Sequence, residues 1–324
     1  MTNMDPARFG KVAVLMGGWS AEREISLLSG GAVLKALQSR GVNASGIDVG
    51  RDVDRQLRDG GFDRAFNMLH GIGGEDGLIQ GVLELLQLPF TGSGITASAL
   101  SMDKELTKRV WQSAGIPTPD FVELTIASDW QAVVAKLGLP LIVKPAREGS
   151  SIGMTRVTSV EQLPAAFNQA VKSGGRVFAE KWIRGGEYTV AIVDSQALPL
   201  IKIQVPGAFY DFNAKYQSDD TQYLCPCDLD FVAEDALQKL SLEAFEMLGC
   251  RGWGRVDLML DENGKPYLIE VNTVPGMTSH SLVPKAAAAI GIGFESLVMR
   301  ILALTLEQDA TIRHQGSEVV ANAR

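Results

Sequence analysis

The segments Arg255-Val256-Asp257-Leu258-Met259-Leu260 and Tyr267-Leu268-Ile269-Glu270-Val271-Asn272 each alternate like a strand, and Asn263-Gly264 lies between them. Asn-Gly between two alternating runs is the strongest short-range hairpin signal. With those two residues as the turn, Glu262 pairs with Lys265, and counting outward sets Asp257 opposite Glu270 and Arg255 opposite Asn272. One face then carries Val256, Leu258 and Leu260 against Tyr267, Ile269 and Val271, and reads as core. The other face opposes two carboxylates, which is destabilising unless something compensates. A hard divalent cation bound by carboxylate and amide oxygens would do so. A solvated polar face on an amphipathic hairpin is the plainer alternative.

A chain of 324 residues buries a substantial core and divides into two or three domains. Its 46% hydrophobic and 21% charged residues are ordinary for a soluble globular protein. No apolar run reaches the length of a membrane span, and Met1–Gly10 lacks a signal-peptide core. The net charge of −8 argues against general nucleic-acid binding, so an anionic ligand has to be met by individual Lys and Arg residues. Three cysteines suit a reduced cytoplasmic interior. Cys225-Pro226-Cys227 has no second Cys or His pair near it to complete a zinc site.

Lys11–Met16 reads as a buried strand, and a helical pattern follows from Glu22 to about Ser39. Strands near Ser45–Val49 and Ala65–Leu69 and a helix near Leu78–Gln87 continue an alternation that implies a parallel sheet, with ligand groups at the strands' carboxyl ends. The first domain ends around Ser101, and a helix over Asp103–Ala114 leads into the linker Ile116-Pro117-Thr118-Pro119. Beyond it, a helix near Asp129–Leu137 and strands at Leu139–Lys144, Met154–Val157, Arg176–Ile183, Tyr188–Asp194 and Leu198–Val205 suggest antiparallel α+β structure. Pro206–Cys227 has no period, and loops of that length are usually functional lids. The polar tail Ala310–Arg324 reads as frayed.

Four stretches carry chemistry. The loop Arg147–Gly153 frees backbone N–H groups for phosphate, yet lacks the ending and following helix of a Walker A loop; a plain hairpin turn is the alternative. Gly17-Gly18-Trp19-Ser20 invites a dinucleotide reading, but its spacing is wrong and Asp48 is a poor substitute for the expected acidic residue. His70, at the head of a glycine-rich turn on a sheet's carboxyl edge, is as well placed for a ligand as for structure. Glu180-Lys181-Trp182-Ile183 reads as a strand with one free backbone edge, able to hold an adenine under Trp182 with Glu187 at the ribose; an ordinary edge strand is the alternative.

Together these pieces resemble the ATP-grasp enzymes, and within them the D-alanine–D-alanine ligases, from Val12 to about Leu304. The resemblance rests on His70-Gly71-x-x-Gly74-Glu75-Asp76-Gly77 through Gly81, and on Gly254-Arg255-Val256-Asp257 with Glu270-Val271-Asn272-Thr273-Val274-Pro275-Gly276. Gly18–Glu24, Lys144–Gly153 and Met277–Leu282 support it, and Trp19 departs from it where the family commonly has a small or hydroxyl residue at the first-subsite wall. It implies an N-terminal Rossmann-like domain (1–101), then two α+β domains holding ATP between them (102–186, and 187–309 with a lid at 206–227), and a disordered tail at 310–324.

The reaction it implies is ATP-dependent joining of two D-alanines through an acyl phosphate for peptidoglycan synthesis, in the cytoplasm, by a homodimer that binds neither nucleic acid nor membrane. Asp257, Glu270 and Asn272 would hold two Mg²⁺ ions, with Mn²⁺ as the alternative. Lys104, Lys144, Ser151 and Lys215 would hold phosphates, and Glu180, Lys181, Trp182, Ile183 and Glu187 the nucleoside. Arg255 and the Gly276 N–H would form the oxyanion site. Glu22, with His70 near it, would anchor the first D-alanine and link through Ser150 to Tyr216, while Ser281 and Leu282 receive the second carboxylate. Tyr216 favours D-alanine over D-lactate as second substrate, since relatives that form depsipeptides lose it. The rivals are another ATP-grasp carboxylate–amine ligase, disfavoured by Ser279–Leu282 and the Glu22 segment, and a nucleotide-binding regulator without catalysis, disfavoured by the complete metal and oxyanion set.

Overall fold

The structure is a computed structural model that describes residues 5–149, 152–204 and 221–308. The first unit is a parallel sheet in which β1 (Lys11–Met16) lies between β2 (Asn43–Asp48) and β3 (Arg64–Asn67). The helices α1 (Arg23–Ser39), α2 (Val53–Gly60) and α3 (Leu78–Leu85) connect and cover it, which is why β1 and β3 are buried on both faces. Gly17 and Gly18 turn the chain out of β1 at φ 78° and 80°. A Cβ on Gly17 would come within 2.1 Å of Asp48, whose carboxylate is gripped by both ends of the Arg23 guanidinium. Asp48 therefore crowds this turn and is already held by Arg23.

Two helices follow: α4 (Ile95–Met102), absent from the sequence pattern, and α5 (Lys104–Ser113), which bears out the helix expected over Asp103–Ala114 and is capped by the Asp103 side chain on the Leu106 N–H. A four-stranded antiparallel sheet comes next, from β4 (Phe121–Leu124), β5 (Leu141–Pro145), β6 (Thr155–Val157) and β7 (Val177–Lys181), in the order β4-β7-β5-β6. Pairing puts Val143, Ala179 and Val122 on the face that packs on α6 (Trp130–Leu137) and α7 (Leu163–Val171). Phe121, Ile142, Lys144, Phe178 and Glu180 share the other face.

The third unit is a six-stranded antiparallel sheet. It contains β8 (Gly185–Val193), β9 (Gln196–Ala197), β10 (Ile201–Gln204), β11 (Gln222–Leu224), β12 (Trp253–Asp261) and β13 (Pro266–Asn272), with α8 (Phe231–Met247), α9 (Leu282–Ala289) and α10 (Phe294–Ala303). β11 falls inside the aperiodic stretch Pro206–Cys227, whose end is thus strand paired to β10 rather than loop; 205–220 lies outside the described residues. The first and third units share one core. Val14, Val33, Leu37 and Phe66 pack with Trp253, Val283, Val298 and Ile301, and the Phe66 and Trp253 ring centres are 6.3 Å apart. No single helix among the described residues is long and apolar enough to cross a membrane.

The hairpin differs from its sequence reading in two ways that cancel. The Asp261 N–H bonds to Lys265 and the Gly264 N–H back to Asp261, so the loop has three residues, with Gly264 left-handed at φ 80°. That moves the register by one, to Leu260↔Pro266 and Leu258↔Leu268. A bulge at Ile269 then restores it, giving Asp257↔Glu270 and Arg255↔Asn272. The core face of β13 is accordingly Leu268 and Val271, while Tyr267 and Ile269, expected in the core, are only half-buried.

Candidate active site

The carboxyl ends of β1 and β3, the start of α5 and the end of β13 converge on a cavity of about 120 Å³. Glu22, His70, Lys104, Arg255, Glu270, Asn272, Gly276, Ser281 and Leu282 all line it, so nine of the residues selected from sequence meet there. Ser150, Ser151, Lys215 and Tyr216 lie outside the described residues.

Glu22 stands immediately before α1, close enough to two backbone turns that both need glycine. A Cβ on Gly71 or on Gly149 would sit 2.8 Å from Glu22 Oε2. The first unit and the loop after β5 therefore meet at this carboxylate. His70 is buried, with Nε2 3.5 Å from Ser29 Oγ. Burial lowers its pKa against the pull of Glu22, which keeps the ring neutral. Ser29 Oγ also accepts from the Met277 N–H, and Ser281 Oγ from the Thr278 N–H, which pins the strap 273–281 over the cavity. Ser281 Oγ would lie 2.8 Å from a Cβ on Gly276, so this strap approaches as closely as glycine permits.

Glu75 was quoted from sequence only as part of a motif, yet it lines the cavity. Its two oxygens accept from the Gly71 and Val274 N–H groups at 2.7 and 3.2 Å, joining the His70 turn to the strap. Burial, then the Glu22 charge, push its pKa up to about 8. Burial and Glu22 raise Glu148 as well. These carboxyls form an acidic pole beside Glu22 that an ammonium group would relieve. Thr189 was likewise missed. It bonds Asp257 Oδ1 at 2.5 Å, and only the β8–β12 register reveals it.

The facing carboxylates are compensated by protein cations. Arg255 holds Asp257 through Nε and Nη2 at 2.8 and 2.7 Å, and Lys104 Nζ is 3.2 Å from Glu270 and 2.7 Å from the Glu148 carbonyl. The inference that a metal is needed for the pairing is therefore corrected: Arg255 and Lys104 suffice for it. Among the described residues no group of three His, Cys, Asp or Glu side chains converges as a metal site. The third donor here would be an amide: Asn272 Nδ2 donates to Asp257 Oδ2 at 3.0 Å, which turns its oxygen the other way. Two carboxylates and an amide oxygen still make a hard-donor set suited to Mg²⁺. Glu270 and Asn272 line the cavity, and Asp257 stands behind Arg255.

Lys144 and Glu180 pair at 2.6 Å on the inner face of the four-stranded sheet. The free edge expected at Glu180 is not there, since β7 pairs on both sides as far as Lys181, through Phe121↔Glu180 and Leu141↔Lys181. Lys181, Trp182 and Ile183 line a second opening of about 410 Å³ with Pro140, Asn263 and Tyr267, and Trp182 stacks with Arg156. Glu187 is half-buried on β8 opposite Met259. Trp19 does not line the cavity at Glu22, although the small pocket it does line shares His70 with it. In that pocket its ring would lie 2.5 Å from a Cβ on Gly73, and the Arg51 guanidinium stacks 4.0 Å from the ring centre.

Comparison with known proteins agrees with this geometry. The family model for the D-ala D-ala ligase C-terminus matches residues 110–303, and that for the D-ala D-ala ligase N-terminus matches 50–93. A D-alanine–D-alanine ligase from Nitrosococcus oceani is 57% identical over 305 residues, covering 94% of this chain and 96% of the relative. The crystal structure of a D-alanine–D-alanine ligase from Bacillus anthracis complexed with ATP superposes with TM-score 0.82 at 33% identity, covering 94% of this chain and 99% of that one. A D-Ala:D-Ser ligase from Enterococcus faecalis superposes with TM-score 0.79 at 28% identity, over 91% of this chain and 99% of its own.

Proposed function

The chain belongs to the D-alanine–D-alanine ligase family and is an ATP-dependent ligase of two D-alanines for cell-wall synthesis, and from that premise we propose how its residues divide the work. The carrying observation is the register Asp257↔Glu270 and Arg255↔Asn272, which sets a cationic and hard-donor wall against the acidic pole at Glu22.

The ammonium of the first D-alanine sits at Glu22, and its carboxylate points to Arg255 and the Gly276 N–H. Lys104 and Lys144 meet the triphosphate. A carboxylate oxygen bonds to the γ-phosphorus as the bond to the bridging oxygen of ADP breaks, giving an acyl phosphate. The unprotonated amine of the second D-alanine, its carboxylate held at Ser281 and Leu282, then attacks the carbonyl carbon. Negative charge gathers on the carbonyl oxygen, where Arg255 and the Gly276 N–H receive it; a single such donor is typically worth about 3 kcal/mol. The amine nitrogen gives up one proton, which leaves with the phosphate, and collapse expels that phosphate and leaves the peptide bond. Asp257 holds Arg255 in place for this, so the guanidinium need not reorganise. Asp257, Glu270 and Asn272 would hold two Mg²⁺ ions, whose chemistry is to neutralise and align phosphate oxygens. The cytoplasmic location and the homodimer are carried over from the resemblance alone.

Phosphate release with D-alanine, L-alanine, D-lactate and no substrate tests the reading. Release with D-alanine alone is expected; equal release with L-alanine would remove Glu22 and His70 as the first subsite.

A further inference from the structure

Lys108 lies one turn beyond Lys104 on the same side of α5. Lys104 reaches the cavity, whereas the Lys108 side chain has no exposed surface at all. Its ammonium donates to Thr118 Oγ1 at 2.6 Å, stands 2.7 Å from Glu180 Oε2, and lies 5.3 Å from the centre of the Phe121 ring. Thr118 donates onward to the Leu268 carbonyl at 2.8 Å, and the Leu268 N–H bonds Pro117. The supposed linker 116–119 is therefore fastened to β13 beside the Ile269 bulge. The second oxygen of Glu180, Oε1, holds Lys144 at 2.6 Å.

One buried carboxylate thus serves two lysines. Alone, Glu180 would cancel the charge of Lys144; with Lys108 present the trio keeps one net positive charge. Burying three charges is costly, and an apolar side chain of similar size would fill the Lys108 site at less expense in desolvation. We propose that Lys108 is a positioning residue for the nucleotide: it balances Glu180 so that the Lys144 charge stays available to the triphosphate, and it ties the Lys144 wall to the strand that carries Glu270. The proposal deepens the nucleotide reading of this cleft and rests on it. Burial pushes Lys108 down to about 8, with Glu180 opposing the drop, so the group is still cationic at neutral pH. Burial pushes Glu180 up, but Lys108 and Lys144 together draw it below its ordinary value.

Lys108→Met keeps the length of the stem and removes the charge. The quantity to measure is the ratio of the dissociation constants for adenosine and for Mg-ATP, both from displacement of a fluorescent adenine nucleotide, because contacts to adenine cancel in it. Loss of one uncancelled charge near the phosphates should lower this ratio about tenfold, with the KM for D-alanine unchanged. The double variant Lys108→Met/Glu180→Gln regains a net positive charge and should return the ratio to within about threefold of wild type. An unchanged ratio in Lys108→Met overturns the proposal, and so does a double variant worse than the single one. Should the single variant not fold, the double variant decides alone by the same threefold margin; failure of both to fold makes Lys108 a stability residue and overturns the proposal too. A wild-type protein that binds Mg-ATP no better than adenosine would instead overturn the nucleotide reading.

Discussion

Glu75 keeps its proton to a pH at which most carboxyls have lost theirs, because it is buried beside Glu22. Its folded-state pKa of about 8 stands above the ordinary 4.5, so between those values the folded protein holds a proton that the unfolded chain releases. The resulting stability is fully present below the lower value and is lost as pH rises through the upper one. Glu75→Gln, which never ionises, should flatten the decline in Tm between pH 5.5 and 8.5; curves that stay parallel to wild type would remove Glu75 from this account. Glu270→Gln tests the neighbouring wall. It removes both the repulsion with Asp257 and the ion pair with Lys104, two effects of opposite sign, so Tm should change little, while Mg-ATP affinity and turnover should drop by at least about 10–100-fold, the scale on which even outer-shell changes disturb a metal site. Calorimetry showing wild-type Mg-ATP affinity would refute the assignment. Residue types and spacing made Glu22, Arg255 and Glu270 legible in the sequence. Glu75, Thr189 and Lys108 were not, since their importance comes from burial and from partners as far as 199 positions away in the chain.

At the scale of elements, alternation located β12 and β13 correctly but could not count the turn. Asn263-Gly264 suits a two-residue loop, and nothing in the one-dimensional pattern announces a bulge, so two opposite errors of one residue left Asp257 facing Glu270 and reversed the faces of Tyr267, Leu268 and Ile269. The helices α4, α7 and α8 escaped the pattern because packing against sheets, more than their own period, holds them in place. Glycines separate local from functional constraint. Gly264 has φ 80° and open space around it, so Gly264→Ala should cost about 1–2 kcal/mol of stability through backbone strain and leave turnover nearly intact. Gly149→Ala meets Glu22 Oε2 at 2.8 Å. It should change Tm little and raise the KM for D-alanine at least tenfold, about 1.4 kcal/mol of binding. Equal KM values in the two variants would dissociate Gly149 from the first subsite.

For the whole molecule, cores decide what unfolds together. The first parallel sheet has no independent interior on its α1 side: residues from Phe9 to Met68 share one core with residues from Ala191 to Leu302. The four-stranded sheet differs, since its core runs only from Leu124 to Ala179 and is closed by its own α6 and α7. What joins it to the rest is a small apolar patch on its inner face, Phe121, Ala146 and Phe178, and a larger set of polar contacts: Lys104 to Glu148, Lys108 to Glu180, Arg176 to Asp103, and Glu22 against Gly149. Such a contact set is weaker than a shared apolar core, so the ligand-free protein should melt in two calorimetric transitions, the smaller belonging to residues 121–181. On the proposed assignment a nucleotide is gripped by Lys144 on one side and by the Lys104–Glu270 wall on the other, and so binds only when both units are folded and docked. At one hundred times its Kd it adds about 2.7 kcal/mol to that docked state. Mg-ATP should therefore raise the smaller transition towards the larger until they merge, while D-alanine alone, held mainly at Glu22 and Arg255, should move the larger one. A single transition in the ligand-free protein, or two that rise in parallel with Mg-ATP, would show that the polar seam couples the units as tightly as a core does.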